Sequence, residues 1–289
     1  MKKKTVYIPQ VITKGDYTVT ILSPDHAVVS GGIFTIPRSV KNLLGDGDDN
    51  PKTALNLVPT MGLSLLPHNA LGLGNLCAFA TVCIKPCLVN QGQGTMDNVY
   101  GPRAAKTVLW FLARDWFLAK LDREAKKFRS KYLGIVGIRL NMFSDIPWEH
   151  YGIIENNPDI QWYDYSKNPR RFGDIRPNYN ITYSYDGVEK NLVHARNVLA
   201  NGGNVSVVFY DAEKIGGICG RAAHDQLLPQ SWLGYEVIDG GKTDWRPDDK
   251  KGCVVGLRLL AKTHKSRQLA IRDGFAQPFQ RAAGVLPVA

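Results

Sequence analysis

The stretch GVEKNLVHARNVLANGGNVSVVFYD, residues 187–211, decides the fold. Residues 187–203 read as a helix that ends on glycine, the residue that most easily takes the left-handed turn closing a helix. Residues 204–211 then read as a strand, followed at once by an aspartate. A strand entered from a helix of ten or more residues is the repeating unit of a parallel sheet. Similar strand readings lie on either side: LGIVGIRLNMF (133–143), IQWYDYS (160–166), NYNITYSY (178–185), YEVIDGG (235–241) and CVVGLRLLAK (253–262). TALNLVP (53–59) is a further candidate at the start of the series.

The strongest helical pattern is residues 102–130. Pro102 suits a first turn, and Ala105, Val108, Leu109, Leu112, Trp116 and Ala119 form one apolar stripe. PWEHYGIIENN (147–157) reads as a short helix, which Asp145 could cap; Asp186-Gly187 could cap the helix that follows it. About seven strands alternating with helices fall short of the eight of a closed (β/α) barrel. The expected fold is therefore α/β: an incomplete (β/α) barrel with mostly parallel strands over residues 51–289. A doubly wound open sheet is the alternative, although the chain lacks the G-x-G-x-x-G that usually marks one. Residues 1–50 alternate apolar and polar positions and read as a separate N-terminal β-rich extension.

The chain has 289 residues and a formal net charge of +10. Its basic start runs into Pro9, Gln10, Thr13 and Lys14, which breaks the apolar run a signal peptide needs. No stretch approaches the roughly 20 apolar residues of a membrane span, so a cytoplasmic setting is expected. The excess charge is uneven. Residues 103–131 hold nine Lys/Arg against three Asp/Glu, and residues 250–272 hold seven Lys/Arg and no acid. That density suits a nucleic acid or nucleotide partner; a solvated basic surface is the plain alternative.

A second stretch carries the chemistry. GNLCAFATVCIKPCLVNQGQG, residues 74–94, holds three of the chain's five cysteines, Cys77, Cys83 and Cys87. Thiols stay reduced in a cytosol, so an odd, clustered set reads as metal ligands before disulfides. Thiolates suit zinc or an iron–sulfur cluster; a buried group of thiols without metal is the other reading. In parallel α/β folds the working residues lie at the carboxyl ends of the strands. Those ends carry Asn141, Ser144 and Asp145, then Asp164, Tyr165, Ser166 and Lys167, then Asp186, Asp211 and Asp239. The cysteine loop follows the first strand candidate and should open at the same edge.

Three thiols after the first strand of an incomplete barrel resemble the radical S-adenosylmethionine superfamily. The resemblance implies that Cys77, Cys83 and Cys87 hold a [4Fe–4S] cluster whose open iron binds S-adenosylmethionine. It places Gly92, Gly94, Asn141, Ser144 and Ser166 along the cofactor, and Asp145, Tyr165, Asp211 and Asp239 as catalytic candidates. Both cysteine gaps here are longer than that family's C-x3-C-x2-C. A second resemblance rests on NLCAFATVCIKPCLVNQGQG, IRLNMFSDIPWE and VIDGGKTDWRPDDKKGCVVGLRLLAK. Together these are similar to a family of bacteriophage proteins over roughly residues 54–262. That likeness implies a phage origin and a host-cytoplasm setting, and supplies no reaction. The alternative function is a non-catalytic phage nucleic-acid-binding protein whose cysteine loop holds zinc or no metal.

Overall fold

The structure is a computed structural model, and it describes residues 7–46, 56–87, 92–173, 176–212, 227–261 and 263–279. The chain divides into two compact units. The first comprises residues 1–49, 58–78 and 93–162, and the second residues 50–57, 79–92 and 163–289.

The first unit opens with four antiparallel strands in chain order, β1 (Gln10–Lys14), β2 (Tyr17–Ser23), β3 (His26–Gly31) and β4 (Phe34–Val40). Alternation decides their faces: Tyr17, Val19, Ile21, Ala27 and Val29 are buried. Gly15 in the β1–β2 turn and Gly31 and Gly32 at the β3–β4 turn take positive φ. Next come β5 (Leu44–Asp46) and β6 (Thr60–Leu63), which pair antiparallel. Asp46 therefore belongs to a strand.

The single helix expected over 102–130 is two helices, α1 (Asp97–Leu112) and α2 (Arg114–Arg129). The break is at Ala113, whose φ of −135° and ψ of 50° are not helical. Pro102 lies inside α1, not in its first turn. Trp110 sits at the centre of an aromatic cluster with Phe117, Trp148 and Tyr151, ring centroids 5.0–5.5 Å away. Strand β7 keeps only Gly137–Arg139 of the long apolar run and runs parallel to β6. The short helix expected at 147–157 is a 3-10 turn, Trp148–Tyr151, with no side-chain cap.

Strand β8 (Gln161–Ser166) begins in the first unit, where Gln161 and Trp162 pair with β7, and continues into the second. There it neighbours β9 (Tyr179–Ser184). Helix α3 is Leu192–Ala200, entered through a 3-10 turn at Glu189–Asn191, and it leads into β10 (Val205–Asp211). The helix–strand unit read from residues 187–211 is thus present, with its helix starting five residues later than expected. β11 (Ser231–Trp232), β12 (Tyr235–Asp239), β13 (Val254–Arg258), α4 (His264–Arg272) and β14 (Gln277–Phe279) complete the unit. The order is β9-β10-β13-β12-β11, with β14 also on β10. β10 is parallel to β9, β13 and β14, and β12 is parallel to β13. The fold is thus α/β with a mostly parallel sheet and an antiparallel N-terminal sheet. One sheet face buries Tyr183, Val205, Val207, Phe209 and Val254 against α3. On the other, Val208, Tyr210 and Leu259 pack against Ala270 and Ile271 of α4. No described helix is long and apolar enough to cross a membrane.

Candidate functional site

Each unit collects polar residues where parallel strands end. In the first unit, β7 is followed by the turn 141–148, organised by Asn141. Its Oδ1 accepts from Ser144 Oγ at 2.9 Å, Ile146 N at 2.9 Å and Trp148 Nε1 at 3.1 Å, and its Nδ2 donates to Ile146 O at 2.9 Å. Asn141 and Ser144 are both buried. The cysteine loop joins this turn: Asp145 N donates to Leu76 O at 2.7 Å, and Cys77 Sγ lies 3.5 Å from Phe143 O. So the start of the cysteine loop, at Leu76 and Cys77, lies against the turn that holds Asn141, Ser144 and Asp145. Asp145 does not cap a helix. His68, a residue the sequence did not single out, starts the same loop. Its φ is 40°, and its buried Nε2 has no hydrogen bond among the described residues.

The remaining candidates fall in the second unit. Cys83 and Cys87 are half-buried on the segment 79–87. Two contacts tie that segment down: Thr81 Oγ1 donates to Asp186 Oδ2 at 2.6 Å, and Lys85 pairs with Asp273 at 3.5 Å. Asp186 also accepts from Val188 N at 3.1 Å and Asn191 Nδ2 at 2.7 Å. It therefore braces the turn before α3, while α3 itself starts at Leu192 without a side-chain cap. Gly92 and Gly94 share the 3-10 turn Gly92–Thr95.

The carboxyl end of β8 is a cationic turn, with Lys167, Arg170 and Arg171 within five residues. Tyr165 is half-buried, Ser166 is buried and accepts from Asn168 N at 3.1 Å, and Lys167 Nζ donates to Ser184 Oγ at 2.6 Å. Arg170 is exposed. Arg171 is 4 % exposed and donates to Tyr179 Oη at 2.6 Å, which donates to Asp164 Oδ2 at 2.7 Å. This chain of hydrogen bonds satisfies a carboxylate that is 0 % exposed. Asp211 closes β10, also 0 % exposed. Asp239 closes β12 and meets Arg258 of β13 through two bonds, 2.6 and 2.9 Å. Burial pushes its carboxyl up, but the Arg258 bonds and the Gly241 N–H outweigh burial and hold it below the usual range. An aspartate held ionised this way braces two strand ends and is a poor proton donor.

Cys77 belongs to the first unit, Cys83 and Cys87 to the second. Among the described residues no group of three or more His, Cys, Asp or Glu could hold a metal ion. No such group is present there to hold a [4Fe–4S] cluster or a structural zinc, and no step is derived through a cluster or through S-adenosylmethionine. Of the other cysteines, Cys219 lies outside the described residues. Cys253 is 0 % exposed, its Sγ 2.9 Å from Lys250 O, and burial pushes its thiol up to about 11, which makes it inert.

The basic runs are also redistributed by folding. Lys106 donates to Leu43 O, Lys120 to Lys41 O, and Arg123, Lys126 and Arg129 pair with Asp25, Asp122 and Asp159. Much of the charge at 103–131 therefore holds the first unit together. Arg267, counted in the second run, is 0 % exposed.

The fold and its strand ends define an α/β protein with a polar, cation-rich carboxyl edge. The chain belongs to the gene product 88 family of phage proteins, whose model matches residues 40–273. No curated protein and no solved structure matches it.

Proposed function

We infer that this phage protein binds a polyanion, nucleic acid or nucleotide, at the carboxyl edge of the second unit's sheet, in the host cytoplasm. The turn Ser166–Arg171 carries this reading. It sets Lys167 and Arg170 beside the ends of β8 and β9, where parallel α/β sheets take their ligands. Lys167 is held by Ser184 and so presents its ammonium at low entropic cost. The net charge of +10 favours encounter with phosphates. Thr81 and Lys85 anchor the cysteine segment to the same unit, so on this reading it is a metal-free wall and not a cofactor cradle.

Fluorescence titration with a single-stranded oligonucleotide tests the proposal. Two phosphate contacts should cost about tenfold in affinity between 50 and 200 mM salt. The double variant Lys167→Ala/Arg170→Ala should flatten the salt slope by about two contacts. Binding that ignores salt, or no binding at low salt, would sink the reading. Iron, sulfide and zinc analysis of protein purified without oxygen belongs beside it: stoichiometric iron and sulfide, lost in Cys83→Ser, would restore the radical S-adenosylmethionine reading.

A further inference from the structure

Arg267 is the least expected residue of the second unit. It lies in the first turns of α4, and its side chain is 0 % exposed. Nη1 makes one long contact, 3.5 Å to Leu259 O. Nε and Nη2 have no hydrogen-bond partner among the described residues. A buried guanidinium keeps its proton and loses its water, so N–H groups left without an acceptor are costly. Its own run offers no acid: residues 250–272 contain none. Asp273 lies past the far end of the helix and pairs with Arg272 and Lys85.

The helix explains where the guanidinium sits. Arg267, Ala270 and Ile271 are spaced i, i+3, i+4 and share one face. Ala270 and Ile271 pack against Val208, Tyr210 and Leu259 at the ends of β10 and β13. Arg267, one turn earlier, therefore stands at those strands' carboxyl ends. α4 begins there too. Thr263 caps it, accepting from Ser266 N at 3.1 Å, while the amides of His264 and Lys265 precede the intrahelical ladder. A helix start that follows a parallel strand is the usual place for a phosphate.

We propose that Arg267 and the first turn of α4 form a binding site for one phosphoryl group, that of a phosphomonoester such as a mononucleotide. Nε and Nη2 make the side-on fork that takes two oxygens of one anion. The helix start takes a third oxygen, which a carboxylate lacks. This goes beyond the polyanion reading and stands whether or not Lys167 and Arg170 hold nucleic acid.

Calorimetric titration of the full chain with inorganic phosphate, and separately with adenosine 5′-monophosphate, at constant ionic strength, provides the test. Saturable binding at one site per chain is expected, weakened at least about tenfold by Arg267→Met, as for loss of a charge-assisted pair. His264→Pro keeps a helix-compatible first position but removes one amide donor, and should weaken binding severalfold. Tighter binding of the nucleotide assigns the site to a nucleotide; equal binding assigns it to a phosphate group alone. No saturable binding to wild type, or unchanged affinity in folded Arg267→Met, overturns the site. If Arg267→Met does not fold, His264→Pro decides: unchanged affinity there overturns it. Saturable phosphate binding without oligonucleotide binding removes only the polyanion reading.

Discussion

Asn141 uses both ends of one amide to hold a turn. Ser144, the Ile146 N–H and the Trp148 indole all donate to its oxygen, and its nitrogen returns a bond to Ile146. Replacement by alanine strands several buried groups at once, each worth about 1–3 kcal/mol when left unmade. Asn141→Ala should therefore lower the unfolding free energy in urea by roughly 3 kcal/mol, and a loss below about 0.5 kcal/mol would show that the turn holds without it. The sequence marked Asn141, Ser144 and Asp145 as a strand-end set, and they do meet. It did not reveal that the amide is engaged within the turn, since hydrogen-bond partners five and seven residues on are set by the turn's conformation. Arg267 shows the opposite failure. In the chain it is one of seven cations in a basic run, and only the i, i+3, i+4 face it shares with Ala270 and Ile271 makes it buried.

At the scale of elements, α1 carries a lysine where the core begins. Lys106 reaches Leu43 O at 2.7 Å, and burial pushes its ammonium down to about 8, against the opposing pull of Glu124. The unfolded chain, with a lysine near 10.4, binds more protons than the folded one between these values. Stability contributed by this residue therefore rises as pH goes from about 8 to about 10. Lys106→Met should remove that rise, so the two proteins' unfolding free energies should diverge by roughly 1–3 kcal/mol across the window. Parallel curves would mean that the amine stays solvated. The apolar stripe of residues 105–119 predicted helix on both sides of Ala113, but as one helix where there are two. The break at Ala113 has no sequence signal, because alanine favours helix. On either side of it, Trp110 and Phe117 lie edge to face, 5.5 Å apart.

At the scale of the molecule, the family match starts at residue 40, while β1–β4 occupy residues 10–40. Within the first unit this sheet buries Tyr17, Val19, Ile21 and Val29 and packs on α1, and Trp116 Nε1 donates to Ser23 O at 3.0 Å. Each large apolar side chain withdrawn from water contributes about 1.5–3 kcal/mol. A chain starting at Lys41 should accordingly melt several degrees lower, at roughly 2–4 °C per kcal/mol, or aggregate on a sizing column. An unchanged midpoint would make the sheet an independent appendage.

The sequence alone carried the α/β class, the β-rich N-terminal stretch, the helix–strand unit at 187–211 and the polar residues at strand ends. These follow from periodicity and glycine turns, which are local. Tertiary structure alone decided what the charges and thiols do. It set much of the basic run of α1 and α2 against carboxylates and carbonyls, and it buried Cys253. It also left Arg267 buried beside a helix start. The physical reason is that charge and ligation act through space over a few ångströms. Neighbours in the chain are often not neighbours there.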